Sequence, residues 1–181
     1  MRKIAEWILK LFGWDLRPFT PTEKKYVVIV APHTSFWDFF VGKLFCVARN
    51  IPAKFFIKKE FFFFPIRRAL RAIGGIPIDR KHATNVVAYS VELFNKTDDL
   101  VIIITPEGTR KRVNKWKKGY YFIAERASVP LYAGFIDYKK KTCGIIKQIS
   151  VTGNYEEDFK HIEQIYRGMS GKRPKRFNLY P

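Results

Sequence analysis

The sequence predicts a single α/β domain: a central, mostly parallel or mixed β-sheet flanked by helices, with a short amphipathic helix at the N-terminus. Three observations carry this expectation. Short apolar runs alternate with longer helical stretches, the pattern of strands joined by crossover helices. The run Leu100-Val-Ile-Ile-Ile-Thr105 is apolar and β-branched, as suits a buried strand. The 181 residues are about one domain's worth and enough for a substantial core.

The elements follow in order. In the first helix, 2–12, Ile4, Trp7, Ile8, Leu11 and Phe12 share one face, and Arg2, Lys3, Glu6 and Lys10 lie elsewhere. That is the composition of a helix lying in a membrane interface; a helix docked on the core is the other reading. Residues 1–24 form this helix and its connection, and 25–181 the main domain. Strands are expected at 27–30, 54–57, 76–78, 101–104, 131–135 and 144–151, the last interrupted. Helices are expected at 36–49, 66–72, 83–94, 120–126 and 155–167. No repeat, low-complexity tract or linker divides the chain.

The chemistry gathers where strands end. His33 and Asp38 lie in Ala31-Pro-His-Thr-Ser-Phe-Trp-Asp38, just after the first apolar run. Five positions at roughly 100° each would leave the two side chains about 140° apart on one helix. Direct contact therefore needs His33 on a loop and Asp38 on the helix that follows. A His held by a carboxylate is a general base suited to a hydroxyl proton. Ser35 and Asp38 also have the spacing of a capping box, which leaves a purely structural reading open. The second cluster, Pro106-Glu107-Gly108-Thr109-Arg110, follows the strand at 101–104, where α/β proteins place ligand groups. Arg110 is a fixed cation suited to phosphate or carboxylate; a surface turn with Glu107 paired to Arg110 is the alternative. In Gly74-Gly-Ile-Pro-Ile-Asp-Arg80, Arg80 is either a second cation at the same rim or a solvated strand end.

In this order, His-x4-Asp at 33–38, the block 74–80, Pro-Glu-Gly-Thr-Arg at 106–110 and Val129-Pro130-Leu131 resemble the glycerolipid acyltransferases, most of all the 1-acylglycerol-3-phosphate acyltransferases. Lys59-Glu60 and Lys118-Gly119 are similar too, and the resemblance spans about 26–135. It implies that His33 deprotonates the acceptor hydroxyl and Asp38 orients His33. It implies substrate binding by Arg80, Glu107, Gly108, Thr109 and Arg110, with Arg80 on the anionic head group. The acyl donor would be a thioester co-substrate, acyl-CoA or acyl carrier protein, with no cofactor and no metal. Backbone N–H groups near the His33 loop are candidates to hold the oxyanion. Phe36-Trp37, Thr105 and Pro65-Ile-Arg-Arg68 depart from the family pattern. They leave the acceptor open between a lysophospholipid and a lysolipid without phosphate, such as an amino-acid lipid.

Composition adds partners. Thirty-four Lys and Arg against sixteen Asp and Glu give +18, a field that attracts anionic lipid surface, acidic carrier protein or nucleic acid. A non-enzymatic basic domain that binds nucleic acid or lipid is the rival class; against nucleic acid, the aromatic residues cluster with apolar ones and no such motif is recognisable, and against a dead lipid-binding relative, His33, Asp38, Glu107 and Arg110 are all present. No nucleic acid is expected as a partner. Phe61-Phe-Phe-Phe64 cannot all face inward from one short element, and Lys58, Lys59, Arg67 and Arg68 flank it, so it reads as a membrane-contacting rim; a place in the core, beside Phe55 and Phe56 of a buried strand, is the other reading. Lys172-Arg-Pro-Lys-Arg176 reads as a flexible surface tail or a contact to lipid charge. Cys46 and Cys143 suit reduced thiols, and His33, His82 and His161 lack metal-ligand spacing. Residues 1–14 do not read as a signal peptide, and no apolar stretch reaches the ~20 residues of a spanning helix. The expected location is peripheral, on the cytoplasmic face of the membrane.

Overall fold

A computed structural model describes residues 1–79 and 83–179. Seven strands form one mixed sheet in the order β1-β7-β6-β2-β5-β3-β4. They are β1 (Asp15–Leu16), β2 (Lys25–Ala31), β3 (Ala53–Lys58), β4 (Gly75–Ile78), β5 (Leu100–Ile104), β6 (Leu131–Asp137) and β7 (Thr142–Ile149). Among the described residues only β6 and β7 pair antiparallel; the other pairs are parallel. The helices are α1 (Arg2–Leu11), α2 (Trp37–Ala48), α3 (Ile66–Ala72), α4 (Ala83–Lys96), α5 (Gly119–Ala127) and α6 (Tyr155–Tyr166).

The strand β2 shows why the sheet is central. Its side chains alternate between two cores, with Val27, Ile29 and Ala31 in one and Tyr26 and Val28 in the other. Both faces are covered, so the strand reads as a continuous apolar run rather than an alternating one. The first core lies among α4, α5 and α6, the second under α1 and α2. The buried Tyr166 hydroxyl lies 3.1 Å from Ile29 O and 2.9 Å from Gly134 O, joining α6 to both central strands.

The expected α/β architecture is the observed one. The interruption expected in the last strand is a bulge: Ala133 pairs with Lys147 and Gly134 with Ile145, leaving Ile146 as the extra residue. At two residues, β1 is too short for any periodicity to reveal it. The first helix docks on the core by one face and leaves the other face exposed. Ala5 and Leu9 are buried, while Ile4, Trp7, Leu11 and Phe12 are each more than 60% exposed.

Cys46 and Cys143 are free and buried, and burial pushes both thiols up to about 12. The thiolate is the reactive form. Neither cysteine should therefore take up iodoacetamide at pH 8 until the chain is unfolded. Mass spectrometry after native labelling tests this, and labelling at the rate of a surface thiol would contradict the packing.

Candidate active site

Three loops meet at the C-terminal edge of the central strands. The first links β2 to α2 and carries His33. The second follows β5 and carries Glu107 to Arg110. The third is the segment after α6, around Ser170 to Arg173.

His33 stands on the loop and Asp38 in the first turn of α2, the division that helical geometry demands. Nδ1 of His33 lies 3.1 Å from Oδ2 of Asp38. An ionised carboxylate only accepts, so Nδ1 carries the proton and Nε2 keeps a lone pair. The same Oδ2 accepts from the backbone N–H of Thr34 at 2.8 Å and of Ser35 at 2.9 Å. The bond from Ser35 N–H is the backward half of a capping box. The capping bond and the contact to His33 thus fall on the same oxygen. Asp38 is 4% exposed, and its Oδ1 has no hydrogen-bond partner.

Glu107 approaches the same loop from below. Its Oε1 accepts from the backbone N–H of His33 at 2.7 Å, while Oε2 is buried without a hydrogen-bond partner. The carboxylate thus grips the main chain of the His33 loop across 74 positions of sequence. Gly108 adopts φ of +66°, and a Cβ there would lie 2.9 Å from the Lys117 side chain. Thr109 is exposed, and its Oγ1 lies 3.3 Å from Lys111 N. Arg110 is exposed, with its guanidinium carbon 5.9 Å from the centre of the Phe36 ring. Arg80 lies outside the described residues. The backbone N–H groups of His33, Thr34 and Ser35 are all committed to Glu107 or Asp38, so none of the three is free to hold an oxyanion.

Burial pushes the Glu107 carboxyl up to about 7, and the bond from His33 N–H opposes that rise only in part. The folded state therefore holds this proton more tightly than the unfolded chain, whose value is 4.5. Linkage then gives the sign: stability present below about pH 4.5 is lost as pH rises through about 7. The size is on the order of 3 kcal/mol. Glu107→Gln cannot ionise, so its melting temperature should fall less between pH 5 and pH 8 than that of the wild type. Thermal unfolding at both pH values decides it; equal slopes would contradict a buried, titrating Glu107.

The third loop was not legible as part of the site. Thr34 is fully buried, and its Oγ1 accepts from Arg173 N–H at 3.1 Å. Gly171 packs against the same side chain, and a Cβ there would lie 2.4 Å from Thr34 Oγ1. Ser170 is tied on both sides, through Tyr138 N–H to its carbonyl at 2.8 Å and its own N–H to Asp137 Oδ1 at 3.3 Å. Lys172 Nζ lies 4.7 Å from the centre of the Trp37 ring. The basic run at 172–176 thus begins as a docked strap, not as a free tail.

Two cavities flank this picture. One, of about 30 Å³, lies between α2 and the sheet, lined by Val28, Val30, Phe45, Cys46, Ile103 and Ile145 among others. That is space for about one water. A larger groove of about 400 Å³, near Phe19 and Tyr132, opens where β6 begins, at the opposite end of that strand from the His33 loop.

No curated protein matches this sequence. Among solved structures, the chain is similar to PlsC, the 1-acyl-sn-glycerophosphate acyltransferase of Thermotoga maritima. The TM-score is 0.63 at 19% sequence identity, over 91% of this chain and 74% of that one. The shared fold carries that comparison. The family model described as Acyltransferase matches residues 17–136, well over half the sequence and including His33, Asp38 and Glu107 to Arg110. The chain belongs to the Acyltransferase family.

Proposed function

We propose that this protein transfers a fatty acyl group from a thioester carrier, acyl-CoA or acyl carrier protein, to a hydroxyl of a lysophospholipid-like acceptor. One observation carries the reading: His33 has Nδ1 fixed by a buried carboxylate and Nε2 left with its lone pair. Nε2 takes the proton of the acceptor hydroxyl as the oxygen attacks the thioester carbonyl carbon. A C–O bond forms, the C–S bond breaks, and the departing sulfur takes the proton back from His33. A thioester is already activated, so proximity and a base suffice. Arg110, and by the family resemblance Arg80, would hold the anionic head group of the acceptor. The solved neighbour, PlsC, is named for a phosphate-bearing acceptor, which supports that choice. The test is mass spectrometry of products from acyl-CoA and acyl carrier protein donors offered to a panel of lysolipids. An amino-acid lysolipid belongs in the panel, because exposed Phe36 and Trp37 make the mouth unusually apolar. Absence of any acylated product across the panel would overturn the reading.

The protein is proposed to work from the surface of an anionic leaflet, on the cytoplasmic face. Among the described residues no helix is long and apolar enough to cross a membrane. Exposed apolar side chains instead gather on α1, at the start of α2 and around α3. They include Trp7 at 62%, Trp37 at 56% and Phe64 at 77%. Lys and Arg near an anionic surface contribute about 1 kcal/mol each, and inserted aromatic side chains resist the salt that screens those charges. Trp7→Glu with Phe64→Glu should release the protein from anionic liposomes while turnover of a soluble short-chain acceptor survives. Unchanged flotation of the double variant would refute the wedge.

A further inference from the structure

We infer that Tyr138 is a positioning residue for the catalytic pair, its hydroxyl donating to the free Oδ1 of Asp38 in the working enzyme. The inference deepens the reading of His33 as base and rests on it.

The sheet brings Tyr138 there. β2 and β6 run parallel with Ala31 beside Phe135. Three residues further on, the two chains have reached Thr34 and Tyr138. Thr34 opens the turn that closes on Asp38, so Tyr138 lies beside the carboxylate although 100 positions separate them in sequence. The ring is fixed from two sides. Trp14 meets it edge-on, with ring centres 5.0 Å apart and an interplanar angle of 85°. Its backbone N–H is bonded to Ser170 O at 2.8 Å.

Two polar groups in this place lack partners. Oδ2 of Asp38 takes three donors, whereas Oδ1 takes none. The hydroxyl of Tyr138 is likewise buried and unpaired. A buried polar group without a partner is costly, and a charged one more so. One contact between these two groups removes both costs. Burial first, then the nearby charge of Asp38, raise the Tyr138 phenol above its ordinary range. The phenol therefore stays protonated and remains a donor.

The consequence is mechanistic. A carboxylate held at one oxygen only can swing about its Cβ–Cγ bond. Held at both, it keeps Oδ2 aimed at His33 Nδ1 while His33 gains and returns its proton.

Tyr138→Phe removes one oxygen and leaves the ring against Trp14. Its kcat should fall about tenfold, in line with a lost hydrogen bond to a charged group, with KM for donor and acceptor unchanged. The kcat–pH profile should change as well, because the carboxylate that faces His33 has lost a partner. In an Asp38→Asn background the same substitution should cost no further activity, since interacting groups are not additive. The proton resonance of His33 Nδ1–H should also shift in Tyr138→Phe. Wild-type kcat and pH profile in Tyr138→Phe, or an equal additional loss in the Asp38→Asn background, overturns the assignment. Full activity in His33→Ala would instead overturn the underlying reading of the site.

Discussion

Replacing His33 with alanine is expected to abolish acyl transfer while leaving the fold intact. General-base catalysis by a positioned side chain contributes typically about 10²–10⁴-fold, so turnover should drop by at least that range. The loop should hold without the imidazole. Its backbone N–H still bonds Glu107, and Asp38 still receives Thr34 and Ser35 N–H. The melting temperature should therefore move by no more than a few degrees, and liposome binding should persist. Asp38→Asn is expected to damage both properties, because the same oxygen that orients His33 also caps the loop. Steady-state kinetics beside thermal unfolding separates the two variants. Purified His33→Ala that turns over near the wild-type rate would end the mechanism.

Gly171→Ala is expected to lower kcat about a hundredfold, although the residue touches no substrate. The added Cβ would lie 2.4 Å from Thr34 Oγ1 and 2.7 Å from its Cγ2. Neither atom belongs to a long side chain that can move aside, and Thr34 is fully buried. Either the strap lifts or the loop shifts. Misplacing a catalytic group by about 1 Å costs on the order of 10²-fold, and overpacking costs about 1–3 kcal/mol of stability. The compensating variant is Thr34→Ala in the Gly171→Ala background, which removes both clashing atoms. It should recover much of the lost activity. If Gly171→Ala is fully active, the strap does not hold the catalytic loop.

What was legible in the sequence was local. His33 and Asp38 are five positions apart, and a strand end, a loop and a helix start can be recognised from neighbouring residues alone. The same holds for the turn at Gly108 and the buried strand β5. Glu107 shows the limit. The family resemblance implied a role for it in substrate binding, but its contact to His33 N–H spans 74 positions. Only the pairing of β2 with β5 brings the two together. Tyr138 and the strap are further cases, since one depends on the register of β6 against β2 and the other on a bond spanning 139 positions. The phenylalanine run divides in a way composition does not set: Phe61, Phe63 and Phe64 are exposed and Phe62 is half-buried. Arg110 lies in the loop that follows β5, and its stacking over Phe36 is a matter of rotamers, which no spacing encodes.

The bond between Thr34 and Arg173 also has a consequence in time. A ribosome adds about 5–20 residues per second, so the 139 positions between these residues take roughly 7 to 28 s to synthesise. Throughout that interval the β2–α2 loop has emerged without the segment that packs against it. The loop that carries His33 and Asp38 is therefore made long before the residue that closes over it. Any property that depends on this bond has to wait until Arg173 has been added.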